Sequence, residues 1–140
     1  SIHIMLTQSY MSKKHNILIV DDDPQVHKLI SKMLPVESYA VQSAYSATEA
    51  LDIIAANKPD LVILDIMMPK VSGIEVCNKI KDNPATKDVM VLILSAKDTQ
   101  EDRIEGLSHG ADEYIGKPFH MKHLIRKVEH MLMKTVNSKQ

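Results

Sequence analysis

Short apolar runs, each leading into a polar residue and then into an amphipathic stretch, recur along the chain and constrain its fold more than any other feature. Ile17–Val20, Leu61–Leu64 and the run from Val89 to Leu94 are continuously apolar, as strands buried on both faces are. Tyr39–Ala44 reads as a weaker strand and Glu113–Ile115 as a short one. Between these runs, apolar residues recur with the helical period. One stripe holds Val26, Leu29, Ile30, Met33 and Leu34, and a second holds Ala47, Ala50, Leu51, Ile54 and Ala55. A third holds Gly73, Val76, Cys77 and Ile80, and the last holds Met121, Leu124, Ile125, Val128 and Leu132. Ile104 and Leu107 mark a thinner, more charged helix. Five strand–helix repeats predict an α/β fold, a parallel sheet joined by right-handed crossovers and covered on both faces.

The punctuation agrees. Asp23-Pro24 supplies an N-cap and an N1 proline to the first helix. Ser46–Glu49 and Ser72–Glu75 both read as capping boxes, and Gly110 stands where a C′ glycine belongs. At 140 residues the chain has the length of one domain. Met11-Ser12-Lys13-Lys14 reads as a start, which leaves residues 1–10 as an upstream extension or a cloning remnant; with the domain expected to open at Lys13, the N-terminal segment is residues 1–12. Residues 135–140 are polar and are expected to form a disordered tail.

Composition removes several function classes. A net charge of −1 offers no basic field for nucleic acid. The single cysteine, Cys77, excludes an internal disulfide framework and a cysteine-based zinc site, and it fits a reducing compartment. No apolar run approaches a membrane span, and the first residues lack the pattern of a signal peptide, so the expected location is cytoplasmic.

The polar residues collect at one end of the strands. The first strand runs into Asp21-Asp22-Asp23, the third into Asp65 and the fourth into Ser95; Lys117 follows the fifth. In an open parallel sheet, ligands bind outside the carboxyl ends of the strands. Crowded carboxylates repel one another, and a hard cation removes that conflict. Oxygen-only ligands suit Mg²⁺, which favours one or two carboxylates together with a phosphate. The loop after the first strand lacks the glycines and free N–H groups of a bare phosphate cradle, so a phosphoryl group is accepted at this edge only alongside a metal. Asp23 reads as the helix cap, whatever Asp21 and Asp22 do.

Ile17–Pro24 (I-L-I-V-D-D-D-P) resembles the opening of the receiver domains of two-component response regulators. Leu64-Asp65-Ile66-Met67-Met68-Pro69, followed by Gly73, is similar to that family's phosphoacceptor segment. Ser95-Ala96 matches its hydroxyl position, and Lys117-Pro118-Phe119 its lysine motif. The likeness covers about residues 15–133, with the domain expected at 13–134. It implies one doubly wound (βα)5 domain with strand order 2-1-3-4-5, an order for which a chemotaxis regulator of this family is a standard example.

The resemblance also implies a mechanism. Asp65 takes a phosphoryl group from a phosphohistidine of a sensor histidine kinase or a histidine phosphotransfer protein. Asp22, Asp65 and the backbone carbonyl of Met67 hold Mg²⁺, with Asp21 acting directly or through water. Lys117 and the Ser95 hydroxyl bind phosphoryl oxygens, and the Lys117-Pro118 bond is cis. Phosphorylation draws Ser95 toward the phosphate and turns Tyr114 inward. That shift changes the face formed by the fourth helix, fifth strand and fifth helix, through which family members often pair as homodimers. The downstream target is not readable, no nucleic-acid or membrane contact is expected from this segment, and a stand-alone regulator and part of a longer one stay equally open.

Other features are assigned blander roles. His120, His123 and His130 read as a solvated helix face, and no phosphohistidine role is supported for His27 or His109. Cys77 reads as a small core residue, and the nine methionines as filling core gaps rather than forming a partner groove. Met67 and Lys97, two residues after Asp65 and Ser95, are less standard for the family, and the poor acceptor at Met67 predicts slow self-dephosphorylation. Two alternatives stand beside the leading reading. One is a haloacid-dehalogenase-like phosphatase with Asp21 as nucleophile and Asp23 as acid; the other is a receiver-like interaction module that takes no phosphate.

Overall fold

The computed structural model describes residues 13–138; the expectation for residues 1–12 lies outside them. Among the described residues, five strands alternate with five helices. They are β1 (His15–Val20), α1 (Pro24–Met33), β2 (Tyr39–Ala44), α2 (Ala47–Ala56), β3 (Leu61–Leu64), α3 (Gly73–Asp82), β4 (Met90–Ser95), α4 (Gln100–Ser108), β5 (Glu113–Gly116) and α5 (Met121–Ser138). The sheet runs β2-β1-β3-β4-β5 with every pairing parallel, which is the predicted order. α5 continues to Ser138, four residues past the point where fraying was expected. Adding a residue to an existing helix needs only propagation, so polar residues can extend a well-packed one.

The continuous apolar runs make sense in this sheet, because alternate residues serve opposite faces. Leu18, Val20, Val62, Leu64, Val91 and Ile93 join Ala50, Ile54, Val76 and Ile80 of α2 and α3 in one core. Ile17, Ile19, Leu61, Ile63, Leu92 and Leu94 join Ile30, Leu124, Val128 and Leu132 of α1 and α5 in the other. Register places Ile19 beside Ile63 and Ile63 beside Leu92, so neighbours on one face pack side by side. Each fully buried aliphatic side chain contributes about 1.5–3 kcal/mol.

The first helix departs from its predicted stripe. Leu29 and Met33 stand 50% and 46% exposed, while His27 is buried in line with Ile30 and Leu34. The five apolar residues of the predicted stripe, four in α1 and Leu34 at its C-cap, span a wider arc than the sheet can cover, and the sheet takes the side that carries His27. α4 is attached thinly: Ile104 and Leu107 face solvent and only Gly106 is buried. The capping pattern also differs. Ser46 accepts from Glu49 N–H and Ser72 from Ile74 N–H, but the reciprocal box forms at Thr99 and Asp102, at the start of α4. A weakly packed helix depends more on its cap, and both Thr99 contacts are supplied. Gly110 has φ of 100° one residue beyond the α4 cap, as its reading predicted. Among the described residues, no helix is long and apolar enough to cross a membrane.

Candidate functional site

The polar residues predicted for one sheet edge do meet there. Asp21 follows β1 and Asp65 follows the adjacent β3; they are 2% and 7% exposed, while Asp22 is open to solvent. Parallel pairing carries them together, since Asp21 N–H donates to the Ala44 carbonyl and Asp65 N–H to the Val20 carbonyl. Asp21, Asp22 and Asp65 each offer an oxygen, and these atoms lie within 4.8 Å of one another. An all-oxygen donor set with one open ligand suits a hard divalent cation such as Mg²⁺.

Both buried acids are oriented. Asp21 Oδ1 accepts from Asp23 N–H at 2.8 Å, and Asp65 Oδ1 accepts from Met67 N–H at 2.8 Å. Their second oxygens face Lys117, whose Nζ lies 2.8 Å from Asp21 Oδ2 and 3.3 Å from Asp65 Oδ2. Burial of the amine favours its neutral form, but the Asp21 hydrogen bond and the Asp65 and Asp21 charges outweigh it. Lys117 therefore stands above the ordinary lysine value. The Lys117-Pro118 bond is cis, as expected. The backbone N–H of Lys117 also donates to the Ser95 carbonyl, which joins β5 to β4 at the site.

Gly73 makes the acid pocket possible. A Cβ there would lie 2.3 Å from the Asp65 carbonyl oxygen and 2.7 Å from Ile66 Cα. Only a residue without a side chain lets α3 begin against the backbone that carries Asp65. Asp23 caps α1 by accepting from Gln25 N–H at 2.9 Å. Its carboxylate is thus engaged at the helix start, which disfavours the acid role that the phosphatase alternative assigns to it.

Ser95 is fully buried, and its Oγ accepts from Lys97 N–H at 3.2 Å. The Lys97 carbonyl in turn accepts a short hydrogen bond from the Tyr114 hydroxyl. Tyr114 is therefore turned inward here, the position that the resemblance associates with phosphorylation. A Cβ on Gly106 would stand 2.9 Å from its ring, closer than side chains pack. The Arg103 guanidinium stands 5.5 Å over that ring and pairs with Asp98. Burial holds the Tyr114 phenol above its ordinary value; the Ser95 hydrogen bond and Arg103 oppose this, while Asp102 and Asp98 reinforce it.

Sequence reasoning passed over Gly106 and Arg103, and considered His27 only as a phosphohistidine donor, a role it found unsupported. Gly106 carried a faint signal, a glycine inside a helical period. His27 carried none beyond its place three residues before Ile30. Burial pushes the Cys77 thiol up to about 11, which agrees with its reading as a core residue.

Residues 17–129 match the family model of the response regulator receiver domain. The chain is 40% identical over 119 residues to the response regulator MprA of Mycobacterium sp. (strain KMS). That match covers 85% of this chain and 51% of the relative, so the chain spans about half the length of the curated relatives it matches. A crystal structure of a putative response regulator from Chloroflexus aurantiacus superposes with a TM-score of 0.81 at 36% identity, covering 86% of this chain and 99% of the other. A CheY-like response regulator receiver domain protein from Methanospirillum hungatei superposes with a TM-score of 0.83 at 28% identity, covering 90% and 99%.

Proposed function

The chain belongs to the response regulator receiver domain family, and on that premise we propose that Asp65 accepts a phosphoryl group from a phosphohistidine of a sensor histidine kinase or a histidine phosphotransfer protein. An Asp65 carboxylate oxygen forms the new bond to phosphorus while the phosphorus–nitrogen bond of the donor breaks. The electron pair returns to the donor imidazole, which takes up a proton. Such transfers need positioning and charge neutralisation more than covalent help. Asp21, Asp22, Asp65 and the Met67 carbonyl are the residues that would hold Mg²⁺, which when bound supplies charge neutralisation at the phosphoryl oxygens. Lys117, already between Asp21 and Asp65, neutralises one phosphoryl oxygen, and the Ser95 hydroxyl donates to another.

The observation that carries this reading is the meeting of Asp21, Asp65 and Lys117 from three non-adjacent parts of the chain. The output follows from Ser95. Drawn toward phosphate, the Ser95 hydroxyl favours the inward Tyr114 that the Lys97 carbonyl already holds, so phosphorylation shifts the population toward this position. The α4–β5–α5 face, with Ile104 and Leu107 exposed, then meets a downstream target or a second copy. A cytoplasmic location fits this chemistry.

The test is incubation with a small-molecule phosphodonor, with and without Mg²⁺, followed by peptide mass spectrometry. Phosphorylation on Asp65 that requires Mg²⁺ and disappears in Asp65→Asn is expected. Phosphate on Asp21 would favour the phosphatase alternative, and no phosphorylation under any condition would favour the pure interaction module.

A further inference from the structure

The imidazole of His27 is a buried polar group that the mechanism above does not use. It is 4% exposed and lies in line with the apolar residues of α1, where an aliphatic side chain would pack. Both ring nitrogens are engaged. Nε2 lies 2.7 Å from the backbone carbonyl oxygen of Asp21, and Nδ1 lies 2.8 Å from Ser43 Oγ. A carbonyl can only accept, so Nε2 carries the hydrogen of the first contact. The ring also rests against Tyr45, with centroids 4.3 Å apart. His27 therefore ties α1 to β2 and to the residue that leaves β1.

That residue is Asp21, and its backbone is held from both sides. Its N–H donates to Ala44 of β2, and its carbonyl accepts from His27. The turn between Val20 and Pro24 must place two carboxylates beside Asp65. We propose that His27 is a positioning residue of the phosphorylation site: through the Asp21 carbonyl it sets the peptide planes that aim Asp21 and Asp22 at the cation position. An aliphatic residue would fill the same space but leave the Asp21 carbonyl and the Ser43 hydroxyl without these partners. The inference rests on the receiver reading above. Groups that orient metal ligands from behind change metal affinity by about 10–100-fold when removed.

The experiment compares His27→Gln, His27→Asn and His27→Leu in the full chain. The Gln amide nitrogen reaches about as far as Nε2 and can donate to the Asp21 carbonyl; Asn reaches only the Nδ1 position, and Leu donates nothing. The Mg²⁺ dissociation constant is read from amide resonances of Asp22 and Asp65. Hydrogen exchange of the Asp23 N–H, bonded to Asp21 Oδ1, is read without metal, with Ile63 as the sheet control. His27→Asn and His27→Leu are expected to bind Mg²⁺ about tenfold more weakly or worse and to exchange Asp23 faster, with Ile63 unchanged. His27→Gln is expected to stay within about threefold of the parent on both readouts. Should the Leu variant not fold, the Gln and Asn pair still decides. Equal impairment of Gln and Asn, or parental behaviour in Asn, overturns the proposal. If the parent itself binds no Mg²⁺, the receiver reading fails separately, and Asp23 exchange in the metal-free variants still tests His27.

Discussion

Replacing Gly73 with alanine sets two effects against each other. Gly73 is the first residue of α3 and does not have a positive φ, so alanine is allowed by the backbone. Alone, that change favours the fold by about 1 kcal/mol, through helix propensity and a less flexible unfolded chain. The added Cβ, however, would stand 2.3 Å from the Asp65 carbonyl oxygen, where real Cβ contacts stay beyond 3.0 Å. The difference, 3.0 − 2.3 = 0.7 Å, must come from backbone movement, because the atoms it meets are backbone atoms. Overpacking of this kind costs about 3 kcal/mol, at the upper end of the usual range. The net loss is about 2 kcal/mol, or about 8 °C in Tm for a domain of this length. The same displacement moves Asp65, the proposed phosphoacceptor, and misplacement approaching 1 Å slows a positioned reaction by up to about 100-fold. Urea denaturation gives the stability, and the rate of Asp65 phosphorylation by a small-molecule donor gives the second readout. A Gly73→Ala protein at least as stable as the parent and phosphorylated at the same rate would refute the close-approach argument.

Three further outcomes are expected. Met67 is 52% exposed two residues after Asp65, and its thioether orients water poorly; Met67→Asn should speed phospho-Asp65 decay several-fold, measured by loss of phosphoprotein over time. The Tyr114 phenol is held above its ordinary value of 10.0, chiefly by burial. A raised pKa means that the contribution of Tyr114 is fully present below the unfolded value and is lost as pH rises through the folded one, so the stability gap between the parent and Tyr114→Phe should be flat below pH 10.0 and shrink above it, followed by urea titration at each pH. Cys77, buried with a thiol at about 11, should resist a disulfide reagent in the native protein and react at the rate of a free thiol once urea unfolds the chain.

Much of the architecture was legible because it is written in local chemistry. Runs such as Leu61–Leu64 can be continuously apolar only where a strand has cover on both sides, and the alternating cores bear this out. The acids and the lysine were legible as a group because a parallel sheet delivers every strand end to one edge. The α1 stripe was not, since Leu29 and Met33 are as apolar as Ile30 and periodicity cannot say which arc the sheet will cover. The capping boxes misled for a similar reason: Ser46 and Ser72 cap as expected, but whether an acidic side chain returns to the cap depends on its rotamer and its neighbours.

Local periodicity and residue type thus determined five strand–helix units, their parallel sense and the side chains gathered at their ends. Tertiary structure alone decided which turns of backbone those side chains hang from. Gly73 matters because of a carbonyl eight residues earlier, Gly106 because of a ring on β5, and His27 because of a hydroxyl on β2 and a carbonyl at the end of β1. Such contacts join atoms from separate elements at distances of a few ångströms, and no pattern along the chain records them until the elements have packed.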